Sequence, residues 1–478
     1  MVVGEFTEQA DLLVIGGGPG GYSAAIRASQ LGRSVTLVER ENIGGVCLNV
    51  GCIPSKALIE LSSRFHELDS LSKKGVVTED AHIDPIVLSQ TVTGSVERLT
   101  SGVRQLLKAA EVEIVEGEAS FVGPNEVRIR ASHETSRIKF KDCILATGSS
   151  PRELDGFTVD HQRVLDSTDL LFTPVIRRDL IIIGGGYIGV ELGSAHARLG
   201  TKVTILEMAP EIVMGVEPEI QRTLRTVLRE MGVEVRTGVE VHGMKTVGDS
   251  VVVEISNGEL TEEIRGNAVA VLVGRVPNLD DDLGLAMAGI TIGSDYRVEV
   301  DDQMRTSNAH VFAIGDIVPG PMLAHKAYYE AKVAAEVAGG QQAGNDATVI
   351  PAVIFAEPEV AVAGLGEQEA RSRYPDNVLV AKFPYRANGR AIVLGASVGE
   401  VKLIALADSR RLLGVHIVGI DASNLISEAV LAIELGATID DLALTIHPHP
   451  TLSEMYPEAA EVAQGLPTHI IVQQQRNK

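Results

Sequence analysis

The feature that most constrains this chain is a pattern it carries twice. Residues Leu12–Ile15 are apolar and β-capable, and they run into Gly16-Gly17-Gly18-Pro19-Gly20-Gly21. A helical stretch follows (Tyr22–Leu31), then Gly32, then a second strand, Ser34–Glu39. The same order returns as Leu180–Ile183, Gly184-Gly185-Gly186-Tyr187-Ile188-Gly189, the helical stretch Val190–Leu199, Gly200 and the strand Lys202–Glu207. In each copy 23 residues separate the first glycine from the closing glutamate (39 − 16 and 207 − 184), and the copies lie 168 residues apart (184 − 16). This predicts an α/β chain with two strand–turn–helix–strand units, each built on a parallel sheet.

The chemistry that needs this spacing is the binding of a dinucleotide. The first glycine (Gly16, Gly184) permits a tight turn, and the second (Gly18, Gly186) lets a pyrophosphate approach the backbone. The third (Gly21, Gly189) lets the helix pack closely on the strand. Free N–H groups and a partial positive charge at the helix start face the anion. A carboxylate at the end of the second strand accepts hydrogen bonds from a ribose diol, and its charge disfavours a 2′-phosphate. One glycine triad is also what an ordinary turn leaves behind. Two triads, each between strand and helix and each ending in Glu, predict two sites, with Glu39 and Glu207 as the ribose ligands.

Between and after these units the texture changes. Val112–Ile129 and Ile138–Ala146 read as strands of a meander closing on Ala146-Thr147-Gly148; Val251–Ile255 and Ala268–Val273 read similarly, closing on Gly274-Arg275. Ala309–Gly315 is apolar and ends on Asp316. From Pro351 a series of strands gives way to two helices, Asn424–Leu435 and Ile439–Leu444. The boundaries expected from these shifts divide the chain into 1–150, 151–275, 276–350 and 351–478.

Several classes of function are set aside by composition. Lys and Arg number 42 against 64 Asp and Glu, a formal charge of −22 that would repel a nucleic-acid backbone. Trp is absent and aromatics are 4%, so stacking platforms for single strands are scarce. No apolar run approaches the ~20 residues of a membrane helix. The opening stretch Met1–Asp11 lacks basic residues, so neither a secretory signal nor a transit peptide is expected. Three cysteines, Cys47, Cys52 and Cys143, make no extracellular disulfide framework and suit a reducing cytoplasm.

Two of those cysteines follow the first repeat directly, in Gly44-Gly45-Val46-Cys47-Leu48-Asn49-Val50-Gly51-Cys52-Ile53-Pro54-Ser55-Lys56. Five residues apart in a regular helix they would be too distant to bridge, so a bridge requires a distorted turn, which Asn49 and Gly51 tolerate. A short-loop disulfide stabilises little, and its use is reversible redox chemistry. Two inert, packed thiols are the competing reading, and packing is the expected role of Cys143. Near the C-terminus, His447-Pro448-His449-Pro450-Thr451-Leu452-Ser453-Glu454 offers an imidazole base with a carboxylate to fix its tautomer. Thiol–disulfide exchange gains from such a base because a thiol near pKa ~8.5 is mostly protonated at neutral pH. A surface loop or a His-x-His metal site are the alternatives, and no metal is expected.

Gly44–Lys56 and His447–Glu454, together with the two glycine motifs and Ala309–Asp316, resemble the motifs of the flavin-dependent pyridine-nucleotide disulfide oxidoreductases. The resemblance spans essentially the whole chain, and the branch acting on dihydrolipoamide fits best. It implies two Rossmann-like domains, for FAD (1–150) and NAD (151–275), a central domain (276–350) and a C-terminal α+β dimerisation domain (351–478). It implies Cys47 as the exchanging thiol, Cys52 as the thiol adjoining the flavin, and His449 as the base with Glu454, with His447 left as a competitor. Lys56, paired with Glu191, resembles the lysine beside the flavin, and Asp316 the ribityl ligand. Thr147, Gly148 and Gly274 fall at cofactor-lining turns. Tyr187 matches a position that covers the nicotinamide pocket in some relatives and is aliphatic in others.

The expected activity is oxidation of dihydrolipoamide, free or on lipoyl domains of an acyltransferase component, with NAD+ as acceptor. The expected assembly is a homodimer with shared sites and no nucleic-acid or membrane partner. A glutathione-reductase-like enzyme would carry basic residues where this chain has Leu206-Glu207-Met208, and a mercuric reductase a C-terminal cysteine pair that is absent here. A non-catalytic flavoprotein subunit is the alternative from another class, disfavoured by the intact cysteines, histidine and glutamate.

Overall fold

The structure is a computed structural model describing residues 7–76, 81–131, 135–173, 175–258 and 260–471. The first six residues of the acidic opening stretch lie outside the described residues. The repeat is visible down to its pairing register. Leu12 pairs Val35 in the first unit and Leu180 pairs Val203 in the second, both members displaced by 168 (180 − 12 and 203 − 35). Each pair is the parallel centre of a sheet.

In the first sheet the strand order is Glu113–Glu116, Val35–Glu39, Thr7–Ile15, Thr135–Leu145, Glu126–Arg130, Glu118–Gly123. Thr135–Leu145 pairs with Thr7–Ile15 along one edge and with two further strands of the same sheet along the other. Its first half is antiparallel to Glu126–Arg130, and its last residues are parallel to Val311–Ala313. The second sheet is parallel in the order Glu234–Thr237, Lys202–Glu207, Asp179–Ile183, Ala268–Val271, Val164–Leu165, with an antiparallel meander of Glu240–Val247, Ser250–Ser256 and Thr261–Gly266 beside it. The central strands are near-continuous apolar runs, as sheets covered on both faces require: Leu12, Leu13 and Val14 are fully buried, as is Ile182.

The two units meet through a two-stranded antiparallel ribbon, Ser149–Pro151 on Arg275–Pro277. After it, the chain returns to the first unit. Leu279, Leu283, Leu285 and Ile290 share a core with Phe121, Val127 and Phe140, and Val311–Ala313 joins the first sheet. A long helix pair, Cys52–Lys73 and Pro85–Ala109, lies between the units: Leu58 and Val92 share a core with Ile182 and Leu192 of the second, while Val103 and Leu107 share one with Leu12 and Ala25 of the first. Asp84 caps the second helix of the pair by accepting from the N–H groups of Ile86 and Val87.

The C-terminal unit is a five-stranded antiparallel sheet ordered Ala352–Ile354, Val360–Gly364, Leu412–Val418, Glu400–Leu406, Val378–Pro384, with helices Ala422–Glu434 and Met455–Gln464 packed on it. It is fastened to the second unit by a buried ion cluster. The Lys402 ammonium, 2% exposed, lies 2.5 Å from Glu217, 2.8 Å from Glu219 and 2.7 Å from Glu367. Lys382 also reaches Glu219, and Arg371 reaches Glu367 at 2.8 Å. Among the described residues no helix is long and apolar enough to cross a membrane.

Candidate active site

The two glycine turns are built alike, and the reason for glycine differs by position. Gly16 and Gly184 have φ of 100° and 111°, and a Cβ on either would lie 2.2 or 2.3 Å from the carbonyl oxygen of Ala146 or Leu272. A Cβ on Gly21 or Gly189 would strike the carbonyl oxygen of Gly16 or Gly184 at 1.7 or 2.0 Å. Gly18 and Gly186 are different. Their φ is −71° in both, and a Cβ would meet nothing closer than Gly45 Cα at 3.8 Å in the first case and nothing within 4 Å in the second. The fold itself does not demand glycine there, so the open space is room for a ligand at the start of each helix. Neither helix has a side-chain cap on its free N–H groups.

The closing glutamates are held identically. Glu39 accepts from the N–H of Gly17 (2.5 Å) and of Glu41 (2.7 Å); Glu207 accepts from Gly185 (2.6 Å) and Ala209 (2.7 Å). Each carboxylate is thus fixed beside its glycine turn. A cleft of about 230 Å³ next to the first turn is lined by Gly16, Glu39, Gly117, Thr147, Asn278 and Asp280, among others. Thr147 and Asn278 brace it by exchanging side-chain and main-chain hydrogen bonds, and Asn278 N–H donates to Gly148. Asp316 accepts from Ser149 Oγ at 2.5 Å, and Arg275, next to Gly274, donates to that same hydroxyl at 2.8 Å. Tyr187 starts the second unit's helix and is 42% exposed.

The cysteines sit against the first of these turns. Gly44 (φ 100°) and Gly45 (φ 55°) open a short helix, Gly45–Val50, and a Cβ on Gly45 would lie 2.6 Å from the Cα of Gly18. Helix geometry breaks at Gly51 (φ −138°, ψ −111°) and resumes with Cys52–Lys73. A Cβ on Gly51 would meet Val46 O at 2.9 Å and Cys47 Cα at 3.4 Å, so this break is what lets the two cysteines close up. Asn49 Nδ2 ties the loop to the carbonyls of Ile43 and Gly45. The expected distorted turn is therefore a helix interrupted at one glycine.

Cys47 and Cys52 are free thiols in hydrogen-bonding contact, and they differ in acidity. The interaction with Cys47, aided by the nearby Lys56 ammonium, lowers Cys52 from 9.0 to about 7 against the opposing effect of burial. Cys47 is pushed upward by its interaction with Cys52 and by burial. Lys56 Nζ lies 2.9 Å from Glu191 Oε2, a carboxylate only 5% exposed, and 4.4 Å from the centre of the Phe355 ring. Tyr22 and Tyr328 bond through their hydroxyls near the same sulfurs, and burial raises both phenols. Cys143 is fully buried in its strand, its thiol pushed up by desolvation.

The two C-terminal histidines have different surroundings. His447 is engaged at both nitrogens, Nδ1 with the Thr445 carbonyl (3.0 Å) and Nε2 with Glu428 (2.8 Å). His449 is engaged only at Nδ1, by Glu454 at 2.8 Å, and its side chain is 80% exposed, leaving Nε2 open. Burial raises the Glu454 carboxyl, but the Thr451 N–H and His449 outweigh it and hold the group below its usual range. Among the described residues no hydrogen bond or ion pair joins His449 or Glu454 to the cysteine pair of the same chain. Sequence reasoning did not single out Phe355, Tyr22, Tyr328 or the lysine-centred ion cluster, because each owes its position to residues far away in the chain.

Residues 10–331 match the family described as pyridine nucleotide-disulphide oxidoreductase, and residues 350–460 match its dimerisation domain. The chain is 49% identical over 472 residues to the dihydrolipoyl dehydrogenase of Geobacillus stearothermophilus, covering 98% of this chain and 100% of that one. It is 43% identical, over 98% of this chain and 100% of the relative, to the dihydrolipoyl dehydrogenase of Halobacterium salinarum. Among solved structures, that of LpdA from Mycobacterium tuberculosis superposes with a TM-score of 0.88 at 25% identity, over 95% of this chain and 99% of that one. With its paired glycine turns and adjacent thiols, this chain belongs to the pyridine nucleotide-disulphide oxidoreductase family.

Proposed function

We propose that this chain oxidises the dithiol of dihydrolipoamide to the cyclic disulfide lipoamide, with NAD+ as the final acceptor. The observation that carries the reading is the packing of the Cys47–Cys52 pair, through Gly45, directly onto the first dinucleotide turn. A redox pair placed there can exchange electrons with whatever occupies that turn. The full-length relatives named dihydrolipoyl dehydrogenase point to the substrate.

The first site suits FAD. Gly16, Gly18 and Gly21 leave the approach to the helix start free, Glu39 offers a fixed carboxylate, and Thr147, Gly148 and Asp316 line the way toward the second unit. The second site suits NAD. Gly184, Gly186 and Gly189 repeat the turn, Glu207 presents an anion that a 2′-phosphate would meet unfavourably, and Gly274 closes the opposite side. FAD supplies the two-electron chemistry that links a dithiol to a nicotinamide.

The chain's own residues handle the sulfur and proton steps. In the oxidised form Cys47 and Cys52 are disulfide-bonded. His449 Nε2 takes the proton of a substrate thiol, and Glu454 on Nδ1 fixes the tautomer and stabilises the imidazolium. The substrate thiolate attacks Cys47 Sγ and releases Cys52 as a thiolate, which Lys56 stabilises. The second substrate thiol attacks the same mixed disulfide, lipoamide leaves, and the enzyme holds the electron pair as a dithiol. His447, bonded at both nitrogens, supports the loop rather than taking the proton.

A homodimer fits this reading. The histidine–glutamate pair makes no bond to its own cysteines, and large apolar side chains stand exposed in the same unit: Leu444 at 82%, Ile446 at 96% and Leu435 at 75%. The pair of one subunit then completes the site of the other. In domain terms the reading assigns FAD to 1–150, NAD to 151–275, a central domain to 276–350 and the dimer interface to 351–478. The dithiol partner is free dihydrolipoamide or the lipoyl domain of an acyltransferase component, in a reducing cytoplasm.

The test is a steady-state assay of dihydrolipoamide with NAD+ beside glutathione with NADPH. Turnover of the first pair alone, with Cys47→Ser inactive yet still yellow, supports the reading. Comparable rates with glutathione and NADPH, or a colourless protein, overturn it.

A further inference from the structure

Phe355 belongs to no motif, yet it touches both members of the ion pair beside the cysteines. It follows strand Ala352–Ile354 of the C-terminal unit. Its backbone N–H donates to Glu191 Oε1 at 2.8 Å, while the other carboxylate oxygen, Oε2, receives Lys56 Nζ at 2.9 Å. Its ring lies under the same ammonium at 4.4 Å. Two residues on, Glu357 accepts from Ser63 Oγ (2.9 Å) and meets the buried guanidinium of Arg198 (2.8 Å). Ser63 is seven residues after Lys56 and Arg198 seven after Glu191 (63 − 56 and 198 − 191), so each pair lies on one face of its helix, two turns apart. The segment is therefore pinned at two points to the same two helices.

We propose that Phe355 is a positioning residue for the redox pair: its N–H orients Glu191 and its ring holds the Lys56 ammonium where that charge acts on Cys52. The proposal rests on the redox reading of Cys47 and Cys52 given above. The physical need is a balance between opposed charges. Lys56 favours the Cys52 thiolate and Glu191 disfavours it, so the position of each sets the outcome. An ammonium free to solvate, or to settle wholly onto Glu191, would support the thiolate less. A ring face competes for it without adding charge. The other groups near Cys52 are the Cys47 thiol, which lowers it, and the hydroxyls of Tyr22, Tyr328 and Tyr187, all raised and so neutral near pH 7.

The experiment is the pH dependence of iodoacetamide alkylation at Cys52 in the dithiothreitol-reduced holoenzyme, read by peptide mass spectrometry. Phe355→Leu, which keeps the backbone N–H and loses the ring, is expected to raise the midpoint by roughly half to one pH unit, a three- to tenfold loss of thiolate on the acid side. Phe355→Tyr is expected to keep the wild-type midpoint. A Leu variant that titrates like wild type, or a Tyr variant displaced as far as Leu, overturns the proposal. Should the Leu variant fail to fold, Phe355→Met carries the same comparison. A wild-type Cys52 that ionises like an ordinary thiol would instead count against the redox reading itself, so the two failures are distinct.

Discussion

Replacing Lys402 with Met tests what fastens the C-terminal unit to the second unit. Met is close in length and apolar, so packing is largely kept while the charge is lost. Three carboxylates, each with one oxygen within 4.8 Å of one oxygen of the other two, then face each other without their shared cation. Removing one partner from a buried ion cluster costs about 3–5 kcal/mol. The lower end applies here, about 3 kcal/mol, because Glu219 keeps Lys382, Glu367 keeps Arg371, and both are partly exposed. Glu217 keeps only the N–H of Glu367, at 2.7 Å.

The pH dependence has a definite sign. In the wild type, burial raises the Glu219 carboxyl but Lys382 and Lys402 lower it more, to about 2, and Lys402 is the first cause that lowers Glu367. The stability these groups contribute is present above the unfolded carboxylate value of 4.5 and is lost as pH falls toward about 2. In the variant the mutual repulsion raises the same carboxyls, so its deficit is greatest at neutral pH and shrinks on acidification toward the carboxylate range. Urea titrations at pH 7.5 and pH 5, followed by far-ultraviolet circular dichroism and flavin fluorescence, measure the gap. A loss under about 1 kcal/mol at pH 7.5, or a gap that widens at pH 5, would mean that Lys402 does not hold these carboxylates together. Adding Glu217→Gln to the Met variant is expected to restore part of the loss.

Gly45→Ala is expected to lower flavin retention sharply, since its Cβ would lie 2.6 Å from the Gly18 backbone at a φ of 55°; an unchanged flavin-to-protein ratio after gel filtration would contradict this. Cys47→Ala removes the thiol that is the first cause of Cys52's acidity, so the Cys52 alkylation midpoint is expected to climb from about 7 toward 9, with Cys47→Ser recovering part of it through its hydroxyl. His449→Gln is expected to slow dihydrolipoamide oxidation by about 10²–10⁴-fold. His447→Gln is expected to have a far smaller effect on turnover, and the reverse ranking would reassign the base.

What the sequence revealed and what it hid follow from the range of the interactions. The repeat was legible because its requirements are local: Gly16 and Gly184 need a positive φ, and Gly21 and Gly189 meet the carbonyl of a residue five positions earlier. The cysteine turn was legible for the same reason, although the interruption at Gly51 rather than a general distortion had to be seen. The choice between His447 and His449 stayed open because it depends on Glu428, 19 residues earlier on the helix Ala422–Glu434. The long helices Cys52–Lys73 and Pro85–Ala109 went unremarked, having few fully buried positions to mark a periodic face. Phe355 and Lys402 could not have been found by pattern. Phe355 acts partly through a backbone N–H that every residue but proline carries, and the partners of Lys402 at 217 and 219 lie more than 180 positions away.

The ribbon of Ser149–Pro151 on Arg275–Pro277 brings the second unit's entry and exit side by side, so that unit is a cassette spliced into the first. A growing polypeptide feels this directly. The ribosome makes strand Thr135–Leu145 early, but its parallel neighbour Val311–Ala313 emerges only after the whole cassette has been synthesised. The flank of that strand must wait, unpaired, while a complete nucleotide-binding unit forms in between. During translation the inserted unit therefore has the chance to mature before the unit that carries it is closed.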